Sequence, residues 1–144
     1  MKIIFCAIFF LASCAAHAEV TIACPTDYPS DLLIAKGVPA GWTGIAHVAG
    51  SRLILQSAGV IAGPPAGKIQ GIQMGTETRT KKGFTLTFVD LDKFTEPLEK
   101  WMYCAYGMGG DVQLLRRLPD TTRECVSEYT KTPYGNYDIR TICR

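Results

Sequence analysis

Four cysteines after residue 18, Cys24, Cys104, Cys125 and Cys143, have the most chemistry to offer. Thiols can attack carbonyls, ligate zinc or pair as disulfides, and spacing separates the three. No C-x-x-C pair occurs, so a structural zinc site has no framework. A Cys-His or Ser-His nucleophile would have to run through His47, because the other histidine, His17, lies in the N-terminal leader described below. His47 sits in Gly44-Ile-Ala-His-Val-Ala-Gly50 with no G-x-S-x-G beside it, and a structural or solvent-facing role explains it more simply. Asp90-Leu-Asp92 places two carboxylates on one side of a strand end, a pattern that glycoside hydrolysis or calcium binding could use. Acids two apart are also common at turns, and no ligand-rich D-x-D-x-D-G loop follows. Trp42 and Trp101 could stack on sugars, but Trp101 alternates with Tyr103 as a half-buried strand residue would. Gly63-Pro64-Pro65-Ala66-Gly67 is no phosphate loop, since the prolines remove amides and no Lys-Ser/Thr pair follows. The residues therefore nominate no catalytic, metal-binding or cofactor-binding set, and no cofactor is expected. A small envelope enzyme using Asp90, Asp92 or His47 stays open as the alternative, beside an envelope structural protein with no dedicated ligand.

The fate of the cysteines depends on the compartment. Met1-Lys2 opens the chain with a positive charge, Ile3 to Ala12 is apolar, and Ala16-His17-Ala18 puts small residues at −3 and −1. That is the grammar of a secretory signal peptide, with cleavage after Ala18. Residues 1–18 are read as the leader and residues 19–144 as one β-rich periplasmic domain. Leu11-Ala12-Ser13-Cys14 also resembles a lipobox, and acylation of Cys14 would anchor the product instead. The apolar run is too short to span a bilayer, and no later segment is long enough without a charge or a Gly/Pro break. An oxidising compartment lets the four remaining cysteines pair. With Lys2 gone the net charge falls from +2 to +1. The pairs Lys81-Lys82 and Arg116-Arg117 are read as solvated turns or edges, and no nucleic-acid partner is expected.

The elements that must position these residues read as strands. Glu19 to Cys24 alternates and is rich in branched residues, and Arg52–Gln56 and Ser57–Ala62 follow. Phe84 to Val89 is the clearest, with Phe84, Leu86 and Phe88 on one face and Thr85 and Thr87 on the other. Trp101–Tyr106, Val112–Leu118, Glu124–Thr130 and Tyr137–Cys143 complete the set. Gly107-Met-Gly-Gly-Asp111, Pro119-Asp120 and Thr132-Pro-Tyr-Gly-Asn136 carry turn signals. Asp31 to Lys36 has room for a short helical turn. The expected fold is a small antiparallel β domain, as a meander, sandwich or partly open barrel, with about two disulfides.

Strand geometry constrains the bridges. If residues 101–143 form one meander turning near Tyr134, Cys125 and Cys143 fall opposite each other, about 4.8 Å apart. Cys104 and Cys125 would then flank a strand at roughly 9.6 Å, beyond the ~7 Å reach of a disulfide. The expected pairs are Cys125–Cys143 and, by elimination, Cys24–Cys104.

Several short blocks, in order along the chain, resemble a known family. They are Ile22-Ala-Cys-Pro25, Gly41-Trp42, Gly63-Pro64-Pro65-Ala66, Trp101-x-x-Cys104-x-Tyr106 and Leu114-x-Arg116-x-Leu118-Pro119. Cys125, Tyr129 and a final Ile142-Cys143-Arg144 follow. Together they look like small Sec-exported, disulfide-containing proteins of Gram-negative bacteria. Gly67 departs from the family pattern, which tends to carry an acid there. The family supplies no catalytic residues. Some relatives lie in type VI secretion regions near toxins that attack peptidoglycan, which implies a periplasmic immunity role for some members. The expected function is a non-catalytic periplasmic binding protein that inhibits a cell-wall-active toxin or hydrolase. Gly63, Pro64, Pro65 and Lys68, with Gly107, Met108 and Asp111, are the candidate partner-binding loops.

Overall fold

The computed structural model describes residues 19–33, 39–41, 52–63, 71–93 and 98–144. Within them the chain forms ten strands: β1 (Val20–Ala23), β2 (Asp27–Pro29), β3 (Arg52–Ala62), β4 (Gly71–Ile72), β5 (Thr76–Thr80), β6 (Gly83–Phe88), β7 (Lys100–Tyr106), β8 (Val112–Arg117), β9 (Cys125–Lys131) and β10 (Tyr137–Cys143). A single 3-10 turn follows β2 at Ser30–Leu32, at the start of the segment with room for a helical turn; Ile34–Lys36 of that segment lie outside the described residues. Two antiparallel sheets result, one ordered β1-β10-β9-β6-β5 and the other β2-β3-β7-β8, with β4 paired to the end of β3. No described helix is long and apolar enough to cross a membrane.

Alternation decides what each strand buries. In β6, Phe84, Leu86 and Phe88 turn toward the core, and in β7 Met102, Cys104 and Tyr106 do the same at 6 % exposure or less. In β3, Leu53 and Leu55 point inward, then Ala58 and Val60. The phase changes because a bulge shifts the register between Leu55 and Ser57. An extra residue on one strand resets its inward face, so the two segments read separately in the sequence are one bent strand. Residues of both sheets build one apolar cluster that includes Ile22, Leu55, Phe88, Tyr106 and Ile139. The architecture is the sandwich among the expected forms.

Among the described residues, most polar side chains caught between the sheets are paired, the Tyr106 hydroxyl excepted. Ser127 and Thr141, opposite each other on β9 and β10, share a hydrogen bond at 2.7 Å. Tyr129 stacks on Phe84, its direct partner across β9 and β6, with ring centroids 4.3 Å apart. Its hydroxyl crosses to the other sheet, accepts from the Ala58 amide at 2.9 Å and donates to the Ala58 carbonyl at 2.7 Å. One phenol thus satisfies both backbone groups of a β3 residue, as a neighbouring strand would.

The expected meander over residues 101–143 is interrupted. β8 pairs with β7 alone, and the chain then crosses to the other sheet to begin β9. Leu118, 1 % exposed, fills the core at the crossing. Pro119 offers no amide to extend a ladder. Lys100 then holds the crossover: its ammonium donates to the carbonyls of Asp120 and Thr122 at 2.6 and 2.8 Å. Burial pushes its pKa below the usual lysine value.

Both bridges pair as expected. Cys125–Cys143 spans β9 and β10 with Cα atoms 4.1 Å apart. Glu124 and Arg144 next to it exchange both backbone hydrogen bonds. The cysteine pair therefore occupies the adjacent non-hydrogen-bonded position, where opposed strands come closest. Cys24–Cys104 has Cα atoms 5.8 Å apart and does different work. Cys24 donates its amide to Ile139 of β10, while Cys104 lies in β7, so this bridge ties the two sheets face to face. Cys104 and Cys125 belong to different sheets rather than flanking one strand.

Candidate partner-binding surface

Strand direction decides which loops share an end of the sandwich. Lys100 at the start of β7 contacts Thr122 just before β9. Cys104, midway along β7, is bridged to Cys24, whose neighbour Ile139 pairs with Tyr129 midway along β9. β7 and β9 therefore run the same way. The loop Gly107–Asp111 after β7 and the turn 132–136 after β9 emerge together. The β5–β6 turn at Lys81-Lys82 joins them, because Lys131 donates its amide to the Lys82 carbonyl at 2.9 Å.

The loop Gly107–Asp111 is built to project. Gly107 and Gly110 adopt φ of +82° and +73°, which a side chain would resist. A Cβ at Gly107 would also collide with the Asp111 carboxylate folded over it. The Gly107 amide donates to Ile54 at 3.1 Å, tethering the loop to β3, and the Gly110 amide closes the turn onto Gly107 at 3.1 Å. Met108 is left 99 % exposed. Shallow depressions flank the loop, one toward Arg52 and Ile54, the other toward Tyr103, Ile72 and Gln113. Ile54 and Ile72 are exposed apolar residues as well. Arg52 is held by Asp27 in a two-oxygen contact at 2.8 and 2.9 Å. On the outer face beyond, the Tyr103 ring lies over Gly59, its cross-strand partner, where a Cβ would meet the phenol.

The opposite end is charged and self-paired. Asp90 contacts Lys93 at 2.8 Å and Asp92 contacts Arg123 at 3.3 Å, so the two carboxylates are engaged with separate cations. Asp90 takes a positive φ of 61° at the tight turn after β6. The hydrogen bond and charge of Asp90 raise the Lys93 pKa. Arg117–Asp120 and Arg144–Glu124 complete this end. No group of three or more metal-ligating side chains occurs among the described residues. His47, Trp42, Pro64, Pro65 and Lys68 lie outside the described residues. Gly63 is described, with φ +101° and its amide bonded to Glu99 at 2.8 Å.

Two features at the loop end escaped the sequence reading. Tyr134, 93 % exposed, tips the β9–β10 turn, and Lys131 joins Lys81 and Lys82 around one depression. The turn signal Thr132–Asn136 located the first; only the β6–β9 pairing creates the second.

A bridged β-sandwich with exposed apolar and aromatic residues at its loop end is the build of a protein-binding module. A family model described as "Type VI secretion system Tli immunity protein" matches residues 50–144. The match covers well over half of the chain, and the chain belongs to that family of type VI secretion immunity proteins, whose partner is a toxin protein. No curated protein and no solved structure matches.

Proposed function

We propose that this protein is a non-catalytic periplasmic inhibitor that binds a cell-wall-active toxin and blocks its active site with the Gly107–Asp111 loop. The observation that carries the loop assignment is Met108, 99 % exposed on a segment fixed by two glycine conformations and a tether to β3. A large flexible apolar side chain held out in water gains free energy only when a partner covers it. A loop that is already ordered loses little entropy on docking, so more of the contact energy appears as affinity. Family membership makes that partner a toxin; export and the cell wall as target come from the leader and the resemblance.

The test is co-expression of the full chain with toxins encoded beside its gene, cell-wall hydrolases first, followed by binding to the purified toxin it neutralises. Protection and a one-to-one complex are expected. Met108→Glu should cost about 2 kcal/mol of affinity, roughly 30-fold, as a central contact does. The melting temperature should stay put, since the side chain is almost fully exposed in the free protein. Protection against only another class of toxin would remove the cell wall as target and keep the inhibitor. Protection against none would remove the inhibitor reading.

A further inference from the structure

We propose that Lys81, Lys82 and Lys131 form a docking site for an acidic loop on the toxin, an inference that rests on the toxin-binding reading above. Lys81 and Lys82 come from the β5–β6 turn and Lys131 from the end of β9, far apart in sequence. They meet because Gly83 pairs with Thr130 and the Lys131 amide bonds the Lys82 carbonyl. Gly83 is needed there: a side chain would collide with the Tyr129 carbonyl. The lysines line one open depression together with Gly83, Thr130, Thr132 and Pro133, and no carboxylate lines it. All three are exposed.

Convergence on one depression sets this cluster apart. Arg52, Lys93, Arg117, Arg123 and Arg144 each contact a carboxylate. Lys81, Lys82 and Lys131, like Arg79, Arg116 and Arg140, contact no carboxylate among the described residues, and the three lysines line the same depression. Three like charges around one hollow repel one another and gain from an incoming anion. Tyr134 stands beside them on the turn after Lys131, 93 % exposed, a residue type enriched at binding hot spots. The cluster shares its end of the sandwich with Met108, so one partner can reach both.

Family membership favours a protein over a membrane, because the partner of an immunity protein is a toxin protein. The depression is shallow and open, so a carboxylate side chain can reach all three ammonium groups without a deep cleft. A basic rim facing an acidic partner accelerates encounter more than it holds the complex, and salt weakens it.

The experiment measures association and dissociation rates of the full-length exported protein with the purified toxin it neutralises, across salt concentrations. The variants are the triple charge reversal Lys81→Glu/Lys82→Glu/Lys131→Glu and the triple neutral form with Gln at each position. Reversal should slow association roughly tenfold at low salt, with the dissociation rate nearly unchanged. The neutral form should fall between, and all three curves should converge near 1 M salt, where screening reaches ~3 Å. Unaltered melting temperatures show that the variants fold. Association that keeps its rate and salt dependence in both variants, while the parent binds, overturns the docking site and leaves the inhibitor intact. Lysine-dependent co-sedimentation with phosphatidylglycerol vesicles, without a change in toxin association, overturns it in favour of a membrane contact. A parent that binds no toxin overturns both readings.

Discussion

Two buried tyrosines set up opposite outcomes for the same substitution. Tyr129 spends its hydroxyl on the Ala58 amide and carbonyl, both buried. Tyr129→Phe leaves those two backbone groups without a partner, and an unsatisfied buried group costs about 1–3 kcal/mol. Tyr106 is wholly buried, and its hydroxyl has no hydrogen-bond partner among the described residues. Tyr106→Phe removes a desolvated polar atom and should leave stability unchanged or raise it by up to about 1 kcal/mol. Urea unfolding of the two variants checks the sign difference. The same burial governs alkaline pH. Desolvation lifts the pKa of Tyr129, Tyr106 and Tyr103 above the ordinary phenol value, with the Ala58 hydrogen bond partly offsetting it at Tyr129. A folded pKa above the unfolded one means that the folded state keeps its proton longer. The stabilisation is complete below the unfolded value, about 10, and is lost as pH climbs through the folded values. The part of the tyrosinate absorbance that these three residues contribute, isolated by difference from their Phe variants, should therefore rise together with loss of the fold rather than ahead of it.

At the scale of elements, the two disulfides differ in what they close. Cys125–Cys143 closes 18 residues of one hairpin, while Cys24–Cys104 closes 80 residues and joins the sheets. Chain entropy gives about 3 and 4.5 kcal/mol for these loops. The variant Cys24→Ala/Cys104→Ala should lose more stability than Cys125→Ala/Cys143→Ala, and the order in denaturant midpoint is the measurement. The pairing was legible because β10 has the expected bounds and its turn is centred near Tyr134. Long strands with clean alternation, such as β6 and β7, were legible for the same reason. β5 was not: Thr-Glu-Thr-Arg-Thr is exposed along its whole length and offers no apolar face to read. β4 has two residues and β2 ends in Pro29, so neither carries a period. The division into two sheets was also hidden. Alternation says which side chains point inward, but not which sheet a strand joins, and the turn at Pro119 looked like another hairpin. The same limit hid the lysine cluster, since Lys131 reaches Lys81-Lys82 only through strand pairing. The Gly107–Asp111 loop could be found, because three glycines among five residues mark a turn by themselves.

For the whole molecule, compartment and fold are coupled through the cysteines. A domain of this size is stable by about 5–15 kcal/mol, and the chain-entropy contributions of the two bridges together are about 7.5 kcal/mol. A reducing cytosol removes that contribution, and the two sheets then hold together through the shared core and the Tyr129 contact with Ala58. A chain made without residues 1–18 should therefore fail to protect against an envelope toxin for two separable reasons, wrong address and lost bridges. Producing the same leaderless chain in cells with an oxidising cytoplasm separates them. There the bridges form, the protein folds and binds purified toxin in extracts, yet it still gives no protection because toxin and inhibitor never meet. The exported chain should begin at Glu19 by intact mass, with no free thiol and with both pairs linked in non-reducing peptide maps. A diacylglycerol on Cys14 would replace that start with a membrane anchor. Protection by the leaderless chain in an ordinary cytosol would show that neither export nor the bridges are required, and would move the encounter with the toxin to the cytoplasm.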